Sequence, residues 1–158
     1  MSLAKRFVGS AAGAGLRIAI VTAKFNADIT DRMLAGARET LRAHGVADDD
    51  VDEAAVPGSF ELPLIAHRLA ASGRYDAVIC LGAVIKGATS HDVYISTGTA
   101  AGLQRAALDT GVPVVFGVIT PNTHEQAMER AGGRTNKGSE AALTAIEMAT
   151  LLHQIAPG

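Results

Sequence analysis

One cysteine and no tryptophan occur in the 158 residues of this chain, and aromatics make up only 4%. A single thiol, Cys80, excludes an internal disulfide. It lies in the apolar run "AVICLGAVI", where a small buried hydrophobe is the natural reading. No stretch approaches the ~20 consecutive apolar residues that cross a membrane as a helix. The opening "MSLAKRFVGSAAGAG" has too short and too glycine-rich an apolar stretch for a signal peptide. Charge of one sign is also lacking: 14 Lys and Arg stand against 16 Asp and Glu, a formal net charge of −2. No basic run interleaves with aromatics, which argues against a nucleic-acid surface. A cytoplasmic protein with no nucleic-acid and no membrane partner is expected.

What is present fits one globular domain. Hydrophobic residues reach 48% against 19% charged, a balance that buries a core. The mean hydropathy of +0.22 is high for such a chain. Either a parallel sheet is covered on both faces, or subunits bury apolar surface together.

Residues 1–15 are small and Gly/Ala-rich and read as an extended arm that needs a partner surface. Leu16–Phe25 is a β-branched apolar strand. In the helix that follows, Ile29, Met33, Ala37 and Leu41 share one face, with Gly45 at its close. "DEAAVPG" is a short strand. "SFELPLIAHRLAASG" is a helix with Leu62, Ile65 and Leu69 on one face and Pro63 in its first turn. "YDAVICLGAVI" is the strongest strand. A helix is expected between His91 and Thr110, closed by Gly111, then a strand over Pro113–Thr120, a short helix at "HEQAMERAGG" and a long one at "NKGSEAALTAIEMATLLHQIA".

The resulting order, β-α-β-α-β-α-β-α-α, predicts an α/β fold: a four-stranded parallel sheet between helical layers, doubly wound into a three-layer sandwich. Such sheets bind ligands beyond the carboxyl ends of their strands. Those ends read "AKFNAD", "VPGSFE", "GAVIKGATSH" and "VITPNTHEQ". They supply Phe25, Asn26, Glu61 and His91 together with small residues. "KGATSH" offers backbone N–H groups and hydroxyls at a helix start, an anion seat or simply a capping turn. Glu61 opens a helix, where the dipole favours a carboxylate by roughly 0.3–1 kcal/mol; alternatively it accepts hydrogen bonds from a polyol. His91 suits proton transfer near neutral pH. Arg130 and Lys137 are either solvated or reach an anion.

Several chemistries are excluded. "HEQAM" has Met128 where H-E-x-x-H needs its second histidine, so no zinc site is expected. Gly13–Gly15 precedes its strand and is no dinucleotide fingerprint. No G-x-S-x-G elbow occurs.

"FN" after the first strand, "VPGSFELP", "GAVIKGATSHDVYI", "FGVIT…EQAMERAG" and "NKGSEAALTAIEM" stand in the order and spacing of the 6,7-dimethyl-8-ribityllumazine synthases, which the chain resembles from about Leu16 to Met148. The resemblance implies a flavodoxin-like fold with residues 16–158 as one domain and residues 1–15 as an arm on a neighbouring subunit. It implies condensation of 5-amino-6-(D-ribitylamino)uracil with 3,4-dihydroxy-2-butanone 4-phosphate, a transferase step of riboflavin biosynthesis needing no cofactor and no metal. It also implies a pentamer, with the short "RAGGRTNKG" leaning toward a 60-subunit icosahedral shell, and riboflavin synthase as a candidate partner.

By the same resemblance, Phe25 stacks on the pyrimidine beside Asn26, and Ser59, Phe60 and Glu61 line the ribityl pocket. Ala83, Val84 and Ile85 hold the pyrimidine edge through their backbone. Ala88 and Thr89 seat the phosphate, and His91 moves protons. Phe116, Arg130 and Lys137 come from the adjacent subunit. Against this enzyme stands a flavin- or nucleotide-binding module without turnover; a purely structural shell would accompany the enzyme and not replace it. A proton shuttle at His91 separates turnover from passive binding.

Overall fold

The structure, a computed structural model, describes residues 4–155. Residues 1–3 and 156–158, which belong to the expected arm and domain, lie outside the described residues. Four strands are found among the described residues: β1 (Ile18–Ala23), β2 (Val51–Val56), β3 (Ala77–Ala83) and β4 (Val114–Ile119). They lie in the order β2-β1-β3-β4, and every pairing is parallel. Among the described residues five helices flank the sheet: α1 (Ala27–Ala43), α2 (Leu62–Ala71), α3 (His91–Thr110), α4 (His124–Arg130) and α5 (Lys137–Ile155). Short 3₁₀ turns stand at Asp48–Asp50, Ser59–Glu61 and Gly133–Thr135.

The sheet is buried on both faces, as its apolar strands require. Successive side chains of a strand point to opposite faces, so β1 and β3 divide their residues between two cores. Ile18, Ile20, Ile79 and Leu81 pack with Ile29, Met33 and Leu41 of α1 and Ile146 of α5. Ala19, Val21, Val78 and Cys80 pack with Leu62 and Ala66 of α2 and Leu103 of α3. Cys80 is fully buried, and desolvation pushes its thiol pKa far above the ordinary value.

Most boundaries match the sequence reading within two residues. The helix expected between His91 and Thr110 spans that range, and Gly111 closes it with φ of 71°. The buried row of α2 differs. Leu62, Ala66 and Ala70 face the core, while Ile65 and Leu69 are only half-buried. The residues before Leu62 form a 3₁₀ turn, and a row of small residues at spacing four lets α2 lie close to β1 and α3. The bulkier Ile65 and Leu69 flank that contact.

Part of the N-terminal segment finds a surface on its own chain. Gln154 of α5 donates from Nε2 to the Val8 carbonyl at 2.6 Å, and the Ser10 N–H donates to Thr150 Oγ1 at 2.9 Å. The Gly13 N–H donates to the His44 carbonyl at 2.8 Å, at the end of α1. Residues 8–13 are thereby tied down within the chain, a local anchorage that the composition of the segment did not suggest.

Candidate active site

The switch in strand order falls at β1, whose two neighbours are β2 and β3. A crevice opens there beyond the carboxyl ends of the strands. It is a cavity of about 920 Å³. Its walls come from Phe25 and Asn26 after β1, Pro57 to Glu61 after β2, Ala83 to Ile85 at the end of β3, and Gly87, Thr89, His91, Asp92, Tyr94 and Ile95 around the start of α3.

Each wall has a local cause. Asn26 adopts the left-handed conformation, φ 62° and ψ 46°, which turns the chain sharply from β1 into α1. Its Nδ2 donates to the Ala83 carbonyl at 2.9 Å. Phe25 is left 72% exposed at the mouth. After β2, the Gly58 N–H donates to Glu61 Oε1 at 2.9 Å, closing the 3₁₀ turn in capping-box fashion. Ser59 is buried and Phe60 projects outward, 59% exposed. The carboxylate at Glu61 therefore both caps its turn and lines the cavity.

The loop from Val84 to Ser90 runs from the end of β3 into the start of α3. The His91 N–H donates to Thr89 Oγ1 at 3.3 Å, and Ser90 at the N-cap of α3 makes no side-chain cap. In the first turn of this 20-residue helix the Val93 N–H donates to the Ser90 carbonyl at 3.1 Å, so the His91 and Val93 N–H groups are both engaged locally. Thr89 and His91 line the cavity, whereas Ala88 is exposed beside it and not among the lining residues.

A family model described as 6,7-dimethyl-8-ribityllumazine synthase matches residues 15–153. The chain belongs to that family. Lumazine synthases are an enzyme family of riboflavin biosynthesis, and small-molecule substrates and an oligomer go with membership. The α/β sheet described above is the fold expected of a lumazine synthase.

Of the residues read from the sequence, Phe25, Asn26, Ser59, Phe60, Glu61, Ala83, Val84, Ile85, Thr89 and His91 gather in this one cavity. Phe116, Arg130 and Lys137 do not. They line a second depression of about 970 Å³ along the outer edge of β4, between α3 and α5. Phe116 is 47% exposed on that edge strand. Lys137 Nζ pairs with Glu140 Oε2 at 2.9 Å, and among the described residues no ion pair engages Arg130. The first cavity contains no lysine or arginine; the second has both.

Asp92, Tyr94 and Ile95 also line the first cavity and were missed. Their signal was proximity: they share the opening turn of α3 with His91, whose placement at a helix start was legible. Among the described residues, no group of His, Cys, Asp and Glu could hold a metal ion. No helix among them is long and apolar enough to cross a membrane.

Proposed function

We propose that this chain condenses 5-amino-6-(D-ribitylamino)uracil with 3,4-dihydroxy-2-butanone 4-phosphate to give 6,7-dimethyl-8-ribityllumazine, phosphate and water. The observation that carries this reading is family membership together with a single crevice holding ten of the residues expected to meet substrate. Residues 16–158 act as one catalytic domain in the cytoplasm, and the arm of residues 1–15, anchored to its own chain between residues 8 and 13, also touches a neighbouring subunit.

In this reading the pyrimidine stacks on Phe25, next to Asn26, with its edge held by backbone groups of Ala83, Val84 and Ile85. The ribityl chain runs along Ser59, Phe60 and Glu61. Glu61 Oε1 already accepts from Gly58, so its second oxygen takes the ribityl hydroxyls. The phosphate sits at the start of α3, held by N–H groups around Ala88 and by the Thr89 hydroxyl.

The amine attacks the ketone and water leaves to form an imine. Phosphate is then eliminated, and the ribityl-bearing nitrogen closes the ring with loss of a second water. Each step moves a proton, and His91 at the helix start exchanges it. Both reactants are intrinsically reactive, so orientation supplies much of the acceleration.

A phosphate dianion needs more than N–H donors, and the first cavity offers no lysine or arginine. Arg130 and Lys137 supply that charge from the adjacent subunit, with Phe116 closing over the pyrimidine. The depression along β4 of one subunit then faces the crevice of the next. Such head-to-tail contacts close into rings, here a pentamer, with assembly into a 60-subunit shell that can enclose riboflavin synthase.

The deciding experiment mixes purified protein with both substrates and records absorbance at the lumazine band together with phosphate release. Lumazine and phosphate formed in step, well above the spontaneous rate, is the expected result. No rate above background, with tight binding of riboflavin, would make the crevice a receptor site.

A further inference from the structure

The hydroxyl of Thr99 departs from the habit of its neighbours. Ser and Thr inside helices commonly return their proton to the carbonyl one turn back. Ser96, Thr110, Thr144 and Thr150 all do so here, to Asp92, Ala106, Glu140 and Ile146. Thr99, with no exposed surface, instead donates across to the Ser59 carbonyl at 3.1 Å, 40 residues away in sequence. Ser59 opens the turn that carries Phe60 and Glu61.

The contact does not stand alone. A Cβ on Gly98 would lie 2.8 Å from Phe60 Cε1, so the Phe60 ring rests directly on the α3 backbone. A Cβ on Gly82 would lie 2.4 Å from Ser59 Oγ, so the same turn is seated against β3. Helix α3 begins with His91 and two turns later bears Gly98 and Thr99. A helix is stiff over that length, with a rise of about 1.5 Å per residue.

We infer that Thr99 is a positioning residue: through the Ser59 carbonyl it fixes the Phe60–Glu61 wall of the crevice at a set distance from His91. The inference rests on the proposed function only in naming the ligand of that wall, the ribityl chain. Loss of the hydroxyl frees the wall and leaves the phosphate seat at Thr89 and the start of α3 in place.

Thr99→Val tests this. The Ser59 carbonyl still accepts from the Leu62 N–H, so no buried acceptor is orphaned. The KM for ribitylaminouracil should rise about 3- to 10-fold, the cost of one hydrogen bond, while the KM for the butanone phosphate stays within about twofold. Thr99→Ser, which keeps the hydroxyl, should restore the wild-type KM. Amide hydrogen exchange at Gly58, Glu61 and Leu62 should quicken in Thr99→Val and not in Thr99→Ser. Equal effects on both KM values, no effect on either, or Thr99→Ser behaving like Thr99→Val would overturn the assignment.

Should Thr99→Val fail to fold, Gly98→Ala decides. Its methyl displaces the Phe60 ring and should raise the ribitylaminouracil KM alone; a change in neither KM or in both sinks the idea. Should the wild type make no lumazine, the proposed function falls and exchange alone decides. Faster exchange in Thr99→Val keeps the positioning role, and unchanged exchange removes it.

Discussion

Asn26 Nδ2 reaches across the switch point of the sheet to the Ala83 carbonyl, joining the ends of β1 and β3 at 2.9 Å. The same residue is the one non-glycine position with positive φ among the described residues. Two roles, a backbone conformation and a hydrogen bond, are separable by substitution. Asn26→Gly keeps the conformation and should cost about 1 kcal/mol, the bond alone. Asn26→Ala loses both and should cost roughly 2–3 kcal/mol. Urea denaturation of the two variants reads the difference, and equal losses would mean that the conformation carries no penalty.

His91 begins α3 and lines the crevice. His91→Gln should lower kcat by about 10²- to 10⁴-fold, the usual worth of a positioned acid–base group, with ribitylaminouracil still bound. Unchanged turnover would remove His91 from the chemistry. Stopped-flow kinetics and a direct titration separate the two effects.

Within one chain His91 and Arg130 line different depressions. If sites form between subunits, two inactive variants should rescue one another. Chains carrying His91→Gln and chains carrying Arg130→Ala, mixed in equal amounts while unfolded and then reassembled, should recover about one quarter of wild-type activity. That fraction is the chance that an intact His91 faces an intact Arg130 in a head-to-tail ring. A site built within one chain would recover nothing.

At the opposite end of the sheet, Tyr75 donates its phenol proton to Asp52, and Arg74 lies over its ring. The hydrogen bond to the Asp52 carboxylate, then desolvation, raise the Tyr75 pKa above its ordinary value near 10. A raised folded-state pKa means that the folded chain holds the proton after the unfolded chain has released it. This contribution is complete below about pH 10 and is lost as pH climbs through the folded-state value. Tyr75→Phe should cost about 1 kcal/mol at pH 7 and should flatten the decline of stability above pH 10. Thermal melts between pH 8 and pH 11 distinguish the variant, and parallel curves would disprove the linkage.

Much of this was legible because the strands announce themselves. β1 and β3 are apolar throughout, and only burial on both faces permits that, so the layered sheet and the strand-end site followed together. Less legible was anything set by one side chain choosing between partners. Thr99 and Thr110 look alike in a sequence, yet one bonds across to Ser59 and the other back along its own helix. Asn136 opened the last predicted helix as one residue of "NKGS". In the structure its Oδ1 accepts from Gly138 and Ser139 while its Nδ2 donates to the carbonyls of Arg32 and Ala131. Chain order likewise says nothing about distance across the fold, so the separation of Phe116, Arg130 and Lys137 from His91 was an expectation of the family resemblance and not of the residues, and the second depression along β4 agrees with it. The first turn of α3 was read for His91 alone, although a helix turn brings Tyr94 and Ile95 with it.

Cys80 lies mid-strand in the innermost pair of the sheet, with no exposed surface. In practical terms the native chain is already silent to thiol reagents. Ellman's reagent should count no thiol in the folded protein and one in guanidinium, since only an accessible thiolate reacts. A cysteine installed at an exposed position such as Arg134 or Asp49 would then be the sole point of attachment for a dye, spin label or crosslinker. The buried sulfur hands the experimenter a clean background, and distances between subunits become measurable without first deleting a core residue.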